Sequence, residues 1–195
     1  MKTLIFATHN NNKVLEIRSL MPRGMDVVSL EEAGFHEEIP EPHDTLEDNA
    51  REKSMTIYRL TGKDCFSEDT GLEVAALDGE PGVLSARYAG PRKLAADNVK
   101  KLLRNMEGIS DRRARFRTVI SLYLQGAEYQ FDGVCEGRIA ESASGEEGFG
   151  YDPVFIPDGE TRTFAEMGLG EKNRFSHRAK AVAKLIAFLH RTAKP

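Results

Sequence analysis

The segment Phe66-Ser67-Glu68-Asp69-Thr70-Gly71-Leu72 places two adjacent carboxylates where an apolar stretch ends, with a hydroxyl and a glycine directly after them. Carboxylates beside a core are costly unless something cationic meets them. A hard divalent metal suits that role, because Mg²⁺ takes one or two carboxylates and leaves its other positions to water and phosphate oxygens. Adjacent carboxylates also repel, which raises the pKa of one and prepares it to take a proton from water. Asp69 is the residue selected for this work, as general base or as metal ligand. Asp-Thr-Gly is also ordinary turn chemistry, and a solvated turn reads the same way.

Other segments carry residues of matching chemistry. Thr8-His9-Asn10-Asn11-Asn12-Lys13 follows a short apolar run and precedes a helical pattern, so its backbone N–H groups and Lys13 could cradle a phosphate. An asparagine-rich helix cap has the same composition, and the glycines and Lys-Ser/Thr pair of a Walker A loop are missing. Gly148-Phe149-Gly150-Tyr151-Asp152-Pro153 joins backbone freedom to two aromatics and a carboxylate. That is the material of a slot in which a base stacks, or of a glycine-rich turn over a core phenylalanine. Lys172, His177 and Arg178 are read at the start of the last helix, where donors could meet phosphate or the acceptor edge of a base. A solvated first turn is the plainer reading, although the helix dipole disfavours cations there. The segment from Gly79 to Tyr88 reads only as a structured loop with a reachable arginine, Arg87. Arg112, Arg113, Arg115 and Arg117 alternate as on the solvated face of a strand.

The elements that must position these residues follow from periodicity and punctuation. Thr3 to Ala7 reads as a buried first strand, and Val14, Ile17, Leu20 and Met21 recur at helical spacing after it. Asp26 to Leu30 is a second strand, and residues 31–44 form an acidic loop containing proline. Thr45-Leu46-Glu47-Asp48 resembles a capping box and opens a helix to about Leu60, with Leu46, Ala50, Ile57 and Leu60 inward. Cys65-Phe66 starts the strand that delivers Glu68 and Asp69, and extended structure continues to Leu77. A helix follows over 94–106. Strands at 114–124 and from Glu128 to about Ile139 form a long hairpin around Gly126, and Val154-Phe155-Ile156 is a further strand. The last helix presents Phe175, Ala179, Val182, Ala183, Ile186 and Leu189 as one stripe. Mixed strands and helices make the class α/β with some antiparallel pairing.

A chain of 195 residues fits a single domain, residues 1–195, with room for two lobes. A hydrophobic share of 40% supplies a real core and excludes disorder, and the net charge of −4 gives no electrostatic case for nucleic-acid binding. The two cysteines, Cys65 and Cys135, read as small buried hydrophobes in a reducing compartment. Leu4-Ile5-Phe6-Ala7 is too short for a signal-peptide core and no apolar run approaches membrane-spanning length, so the expected setting is cytoplasmic.

Taken together, Thr8-x-Asn10-x-x-Lys13, Glu68-Asp69-Thr70-Gly71-Leu72, Pro81-Gly82-x-x-Ser85-Ala86-Arg87-Tyr88-x-Gly90, Gly148-Phe149-Gly150-Tyr151-Asp152-Pro153-Val154-Phe155 and Ser176-His177-Arg178 resemble the inosine triphosphate pyrophosphatase family. The blocks run in the same order from the first strand to the last helix. The resemblance implies an elongated mixed central sheet flanked by helices, with two lobes and a nucleotide cleft between them. It implies hydrolysis of noncanonical purine nucleoside triphosphates (ITP, dITP, XTP) to the monophosphate and pyrophosphate, with Mg²⁺, by a homodimer. By the same resemblance Thr8, Asn10 and Lys13 hold the triphosphate, with His9 in that turn where the family often has glycine. Asp69 is the catalytic base and a metal-associated carboxylate, with Glu68 and Glu41 as further metal positions. Thr70 contacts substrate. Phe149, Gly150, Tyr151 and Asp152 line the base and sugar, and Lys172, His177 and Arg178 meet the phosphates or the purine. Glu68 stands where the family commonly has aspartate, and Thr70 where it has serine.

A pocket of donors would accept the 6-oxo group of hypoxanthine or xanthine and oppose the 6-amino group of adenine. The competing expectations are a related pyrophosphatase preferring another base, such as dTTP or UTP, and a regulatory module that binds nucleotide without hydrolysis. An RNA-binding module is a distant third.

Overall fold

The computed structural model describes residues 2–192. Its strands and helices, in chain order, are β1 (Lys2–Phe6), α1 (Asn11–Leu20), β2 (Met25–Ser29), α2 (Leu46–Thr61), β3 (Cys65–Val74), β4 (Pro81–Gly82), α3 (Ala95–Asn105), β5 (Arg113–Leu124), β6 (Ala127–Ile139), β7 (Phe155–Pro157), α4 (Leu169–Lys172) and α5 (His177–Thr192). Among the described residues the strands form one seven-stranded sheet in the order β2-β1-β3-β5-β6-β7, with β4 added to β3. β1 runs parallel to β2 and β3, whereas β4 on β3 and β7 on β6 are antiparallel. The sheet is therefore mixed, as the sequence pattern predicts.

The chain gathers into two compact units, one holding residues 2–69, 118–133 and 178–192, the other residues 70–117 and 134–177. In the first unit, strand alternation sends Leu4 and Phe6 to one face, where Val14 and Ile17 of α1 and Val182, Leu185 and Leu189 of α5 cover them. Ile5 and Ala7 point to the other face with Leu30, Ile57 and Cys65. The Phe6 and Phe66 rings stack at 4.5 Å. Thr45 caps α2 by accepting the Asp48 N–H, and Gly62 ends that helix in the left-handed region at φ 64. Leu60, expected inward, is exposed, because the buried stripe of α2 runs through Leu46, Ala50, Lys53 and Ile57 and leaves it to one side. In α5 the stripe is likewise shifted: Ala181 and Leu185 are buried, while Ala183 faces solvent. The hairpin β5–β6 turns on Gln125 and Gly126, both at positive φ, the two-residue geometry that matches strand twist.

In the second unit, Leu72, Val74, Leu102, Met106, Phe116, Phe155 and Phe164 form the core. The loop that the sequence left undefined, from Gly79 to Tyr88, is a clamp on β3. Ser85 Oγ accepts the Leu72 N–H at 2.9 Å and donates to the Gly82 carbonyl, and the Tyr151 hydroxyl donates to the Ser85 carbonyl at 2.9 Å. Arg112 does not lie on a solvated face. It donates to the carbonyls of Met106, Ile139 and Ala140 and fastens the start of β5, while Arg115 pairs with Glu73.

Gly71 is needed for close approach of β3 to β4, since a Cβ there would lie 2.8 Å from the Gly82 carbonyl oxygen. Gly71→Ala is expected to destabilise the protein by about 1–3 kcal/mol through backbone displacement. A lower urea midpoint at unchanged m value checks this.

Candidate active site

β3 delivers Glu68 and Asp69 to opposite faces, because successive strand residues alternate. Their surroundings differ accordingly. Glu68 meets Arg178 at the start of α5, whose Nε and one Nη donate to its two oxygens at 2.8 Å each. The other Nη of Arg178 donates to Glu16 on α1, and Lys13 Nζ lies 3.1 Å from Glu68. Arg178 is only 1% exposed, so the fork is held in a low-dielectric interior. Burial alone would push the Glu68 carboxyl up, but Arg178 and Lys13 overcome it and hold it well below the usual carboxylate range. Burial would likewise lower the Arg178 pKa, but Glu68 and Glu16 raise it instead.

Asp69 faces α2. Lys53 Nζ, on the buried stripe of that helix, donates to Asp69 Oδ1 at 3.2 Å, to the Glu68 carbonyl at 2.8 Å and to Glu41 Oε1 at 2.6 Å. Burial raises the Asp69 carboxyl, Lys53 and Lys13 pull it down, and Glu41 pushes it up again; it ends above its ordinary value. Lys53 moves up as well: burial opposes its charge, but it feels two carboxylates where Asp69 shares one ammonium with a second anion. Glu41 is carried by the acidic loop, which Asn49 of α2 clasps by accepting the His43 N–H and donating to the His43 carbonyl, each at 3.0 Å.

The turn before α1 sits beside Lys13. Asn10 caps the helix, its side chain accepting the N–H groups of Asn12 at 3.0 Å and Lys13 at 3.3 Å. Thr8 Oγ accepts the Asn10 N–H at 3.2 Å, and a ring nitrogen of exposed His9 lies 3.0 Å from the Glu37 carbonyl. In the first unit, then, Lys13, Glu41, Glu68, Asp69 and Arg178 are brought together. Lys53 and Glu16 complete the cluster, and the sequence reading did not include them.

The second unit gathers the residues expected to meet the base. Lys172, which ends α4 and not the start of the last helix, is buried with its Nζ 2.6 Å from Asp152 Oδ2. The same oxygen accepts the Phe149 N–H at 2.8 Å. The Lys172 ammonium also lies 5.3 Å from the Phe149 ring centre and 5.2 Å from that of Phe164. Gly148, at φ 74, could carry no side chain, because a Cβ would lie 2.1 Å from Asp152 Oδ2. Gly150 also takes a positive φ, and Phe149 beside it is half-buried. Tyr151 instead turns into the core, with its hydroxyl on Ser85 and its pKa raised by burial. His177 is buried with its ring stacked on Phe116. Thr70, next to Asp69 on β3, is half-buried.

The model of the Ham1 family matches residues 4–188. The chain belongs to the Ham1 family. It is 50% identical over 190 residues to a protein of Porphyromonas gingivalis named dITP/XTP pyrophosphatase, covering 97% of this chain and 98% of that one. Proteins of the same name from Flavobacterium johnsoniae and Bacillus subtilis are 49% and 45% identical, each again over 97% of this chain and 98% of the relative. Among solved structures, the Ham1 protein of Staphylococcus aureus superposes with a TM-score of 0.87 at 37% identity, covering 97% of this chain and 98% of that chain. A Ham1 protein from Coxiella burnetii gives 0.89 at 35%, covering 98% and 100%. The Ham1 fold thus extends along nearly the whole chain.

A carboxyl depressed in the folded state stabilises the fold above its unfolded pKa and loses that contribution as pH falls toward the folded value. Glu68 is such a group. Glu68→Gln is expected to lower stability at pH 7 and to flatten the acid limb. The drop in unfolding free energy from pH 7 to below about pH 4, read by urea titration, becomes smaller than in the unsubstituted protein.

Proposed function

We propose that this chain hydrolyses noncanonical purine nucleoside triphosphates, such as dITP, XTP and ITP, to the monophosphate and pyrophosphate. The observation that carries this is Asp69. It is a buried carboxyl held above its ordinary value beside Lys53 and Glu41, in a chain matched end to end by relatives named dITP/XTP pyrophosphatase.

The first cluster takes the phosphates. Lys13 supplies positive charge at the start of α1, the end of the helix whose dipole favours an anion. Asp69 accepts a proton from a water whose oxygen attacks the α-phosphorus; the bond from that phosphorus to the bridging oxygen breaks, and pyrophosphate leaves with the bonding pair. Lys53 fixes the carboxylate that does this. Arg178, committed to Glu68 and Glu16, acts in this reading by holding Glu68 against Lys13.

Mg²⁺ belongs to the proposal, and the residues fit it. Glu41 and Asp69 converge on one ammonium, that of Lys53, and carboxylate oxygens of this kind are what a hard divalent cation takes. Among the described residues no three metal-ligating side chains gather into a cage, and Mg²⁺ needs only one or two carboxylates. Asp69 and Glu41 would hold it, while both oxygens of Glu68 are already bound by Arg178. The ion, when bound, would neutralise phosphate charge as pyrophosphate departs.

The second cluster reads the base. His177 and Lys172 offer donors to a 6-oxo group, and adenine would set its 6-amino donor against them.

A cytoplasmic setting and a homodimer complete the proposal. Among the described residues no helix is long and apolar enough to cross a membrane, and both cysteines are buried thiols outside any disulfide, as suits a reducing compartment. Sedimentation velocity is expected to give one species with the mass of two chains.

Incubation with ITP and Mg²⁺ is expected to give IMP and pyrophosphate, with EDTA stopping turnover. Asp69→Asn should keep its circular dichroism and lose about 10²–10⁴-fold in kcat. IDP with inorganic phosphate would refute the mechanism, and tight binding without products would favour a regulatory module.

A further inference from the structure

His177 opens α5, and its ring lies on the face of Phe116 with centres 4.5 Å apart and planes 19° apart. Phe116, on β5, is itself fixed by Phe155 edge-on at 4.7 Å and by Phe164 at 6.2 Å. Phe164 also reaches His177 at 6.3 Å. The imidazole is therefore one member of a buried aromatic stack, with Phe116 only 6% exposed and His177 3%.

A ring N–H lies in the plane of its ring, so whatever fixes the plane fixes the direction in which the group donates. A histidine at a helix start otherwise turns about the bond to its ring, where the rotational preference is broad. We propose that Phe116 is a specificity-determining positioning residue: it locks the plane of His177, so that the imidazole donates to a 6-oxo purine and opposes a 6-amino purine. This rests on the functional reading above and adds to it a residue that touches no substrate. Offset stacking of this kind is weak enough to be lost in one substitution and strong enough to be measured.

The test compares kcat/KM for ITP with that for ATP. A partly unfolded preparation scales both substrates alike, so their ratio is blind to lost stability. Phe116→Leu is expected to lower the ratio by about threefold to tenfold, mostly through KM for ITP, and Phe116→Tyr to restore it. If Phe116→Leu does not fold, Phe116→Met gives the same comparison with a smaller change of shape. In a His177→Ala background, Phe116→Leu is expected to add no further fall, as for a residue acting through His177. An unchanged ratio in the Leu or Met variant, or a further fall in the double variant, overturns the inference. Unsubstituted protein that makes no IMP from ITP overturns the functional reading on which it stands.

Discussion

A carboxylate as deeply buried as Glu68 keeps its charge only if a cation is buried with it, and Arg178 is that cation. Its planar fork meets both oxygens of Glu68 and still reaches Glu16, so three elements far apart in sequence are tied through one guanidinium. Lysine could not replace it, because an ammonium is a point charge without the two parallel donors. Lys13, at the first turn of α1, is drawn to the same carboxylate. The cationic side of this cluster is thus arranged by a residue whose own charge is met by two carboxylates of the protein.

The strand period of two gives the adjacent carboxylates opposite fates. Glu68 falls on the face with more positive charge and is held ionised; Asp69 falls on the face where one lysine serves two carboxylates and is held closer to protonation. Dipoles and charges fixed in place before reaction cost no reorganisation during it. Lys53 supplies such fixity, since its three donors are spread over Glu41, Asp69 and the β3 backbone.

Much of this was legible beforehand. Short apolar runs gave the strands and the helical stripes gave the helices, because burial of one face imposes those periods. The blocks around Lys13, Asp69, Asp152 and Arg178 could be read because their residue types cluster locally. Pairings over long separations could not: Glu68 finds Arg178 110 residues on. The strand turns the side chains of Glu68 and Asp69 apart, a difference that their adjacency in sequence conceals. Lys53 does carry a local signal, a charged residue in register with Leu46, Ala50 and Ile57 on a stripe that should be apolar. Tyr151 looked like part of a stacking slot because aromatic residues beside glycine suit that role. Only the tertiary placement of Ser85 shows where its hydroxyl goes.

The clasp of Asn49 on both backbone groups of His43 fixes the chain two residues beyond Glu41, close to where Glu41 meets Lys53. The placement of that carboxylate is therefore governed from its C-terminal side by α2, while Phe35 and Ile39 pin the loop before it against the core. Glu41 thus sits in a short span held at both ends, so a change of length between Ile39 and His43 would draw it off Lys53.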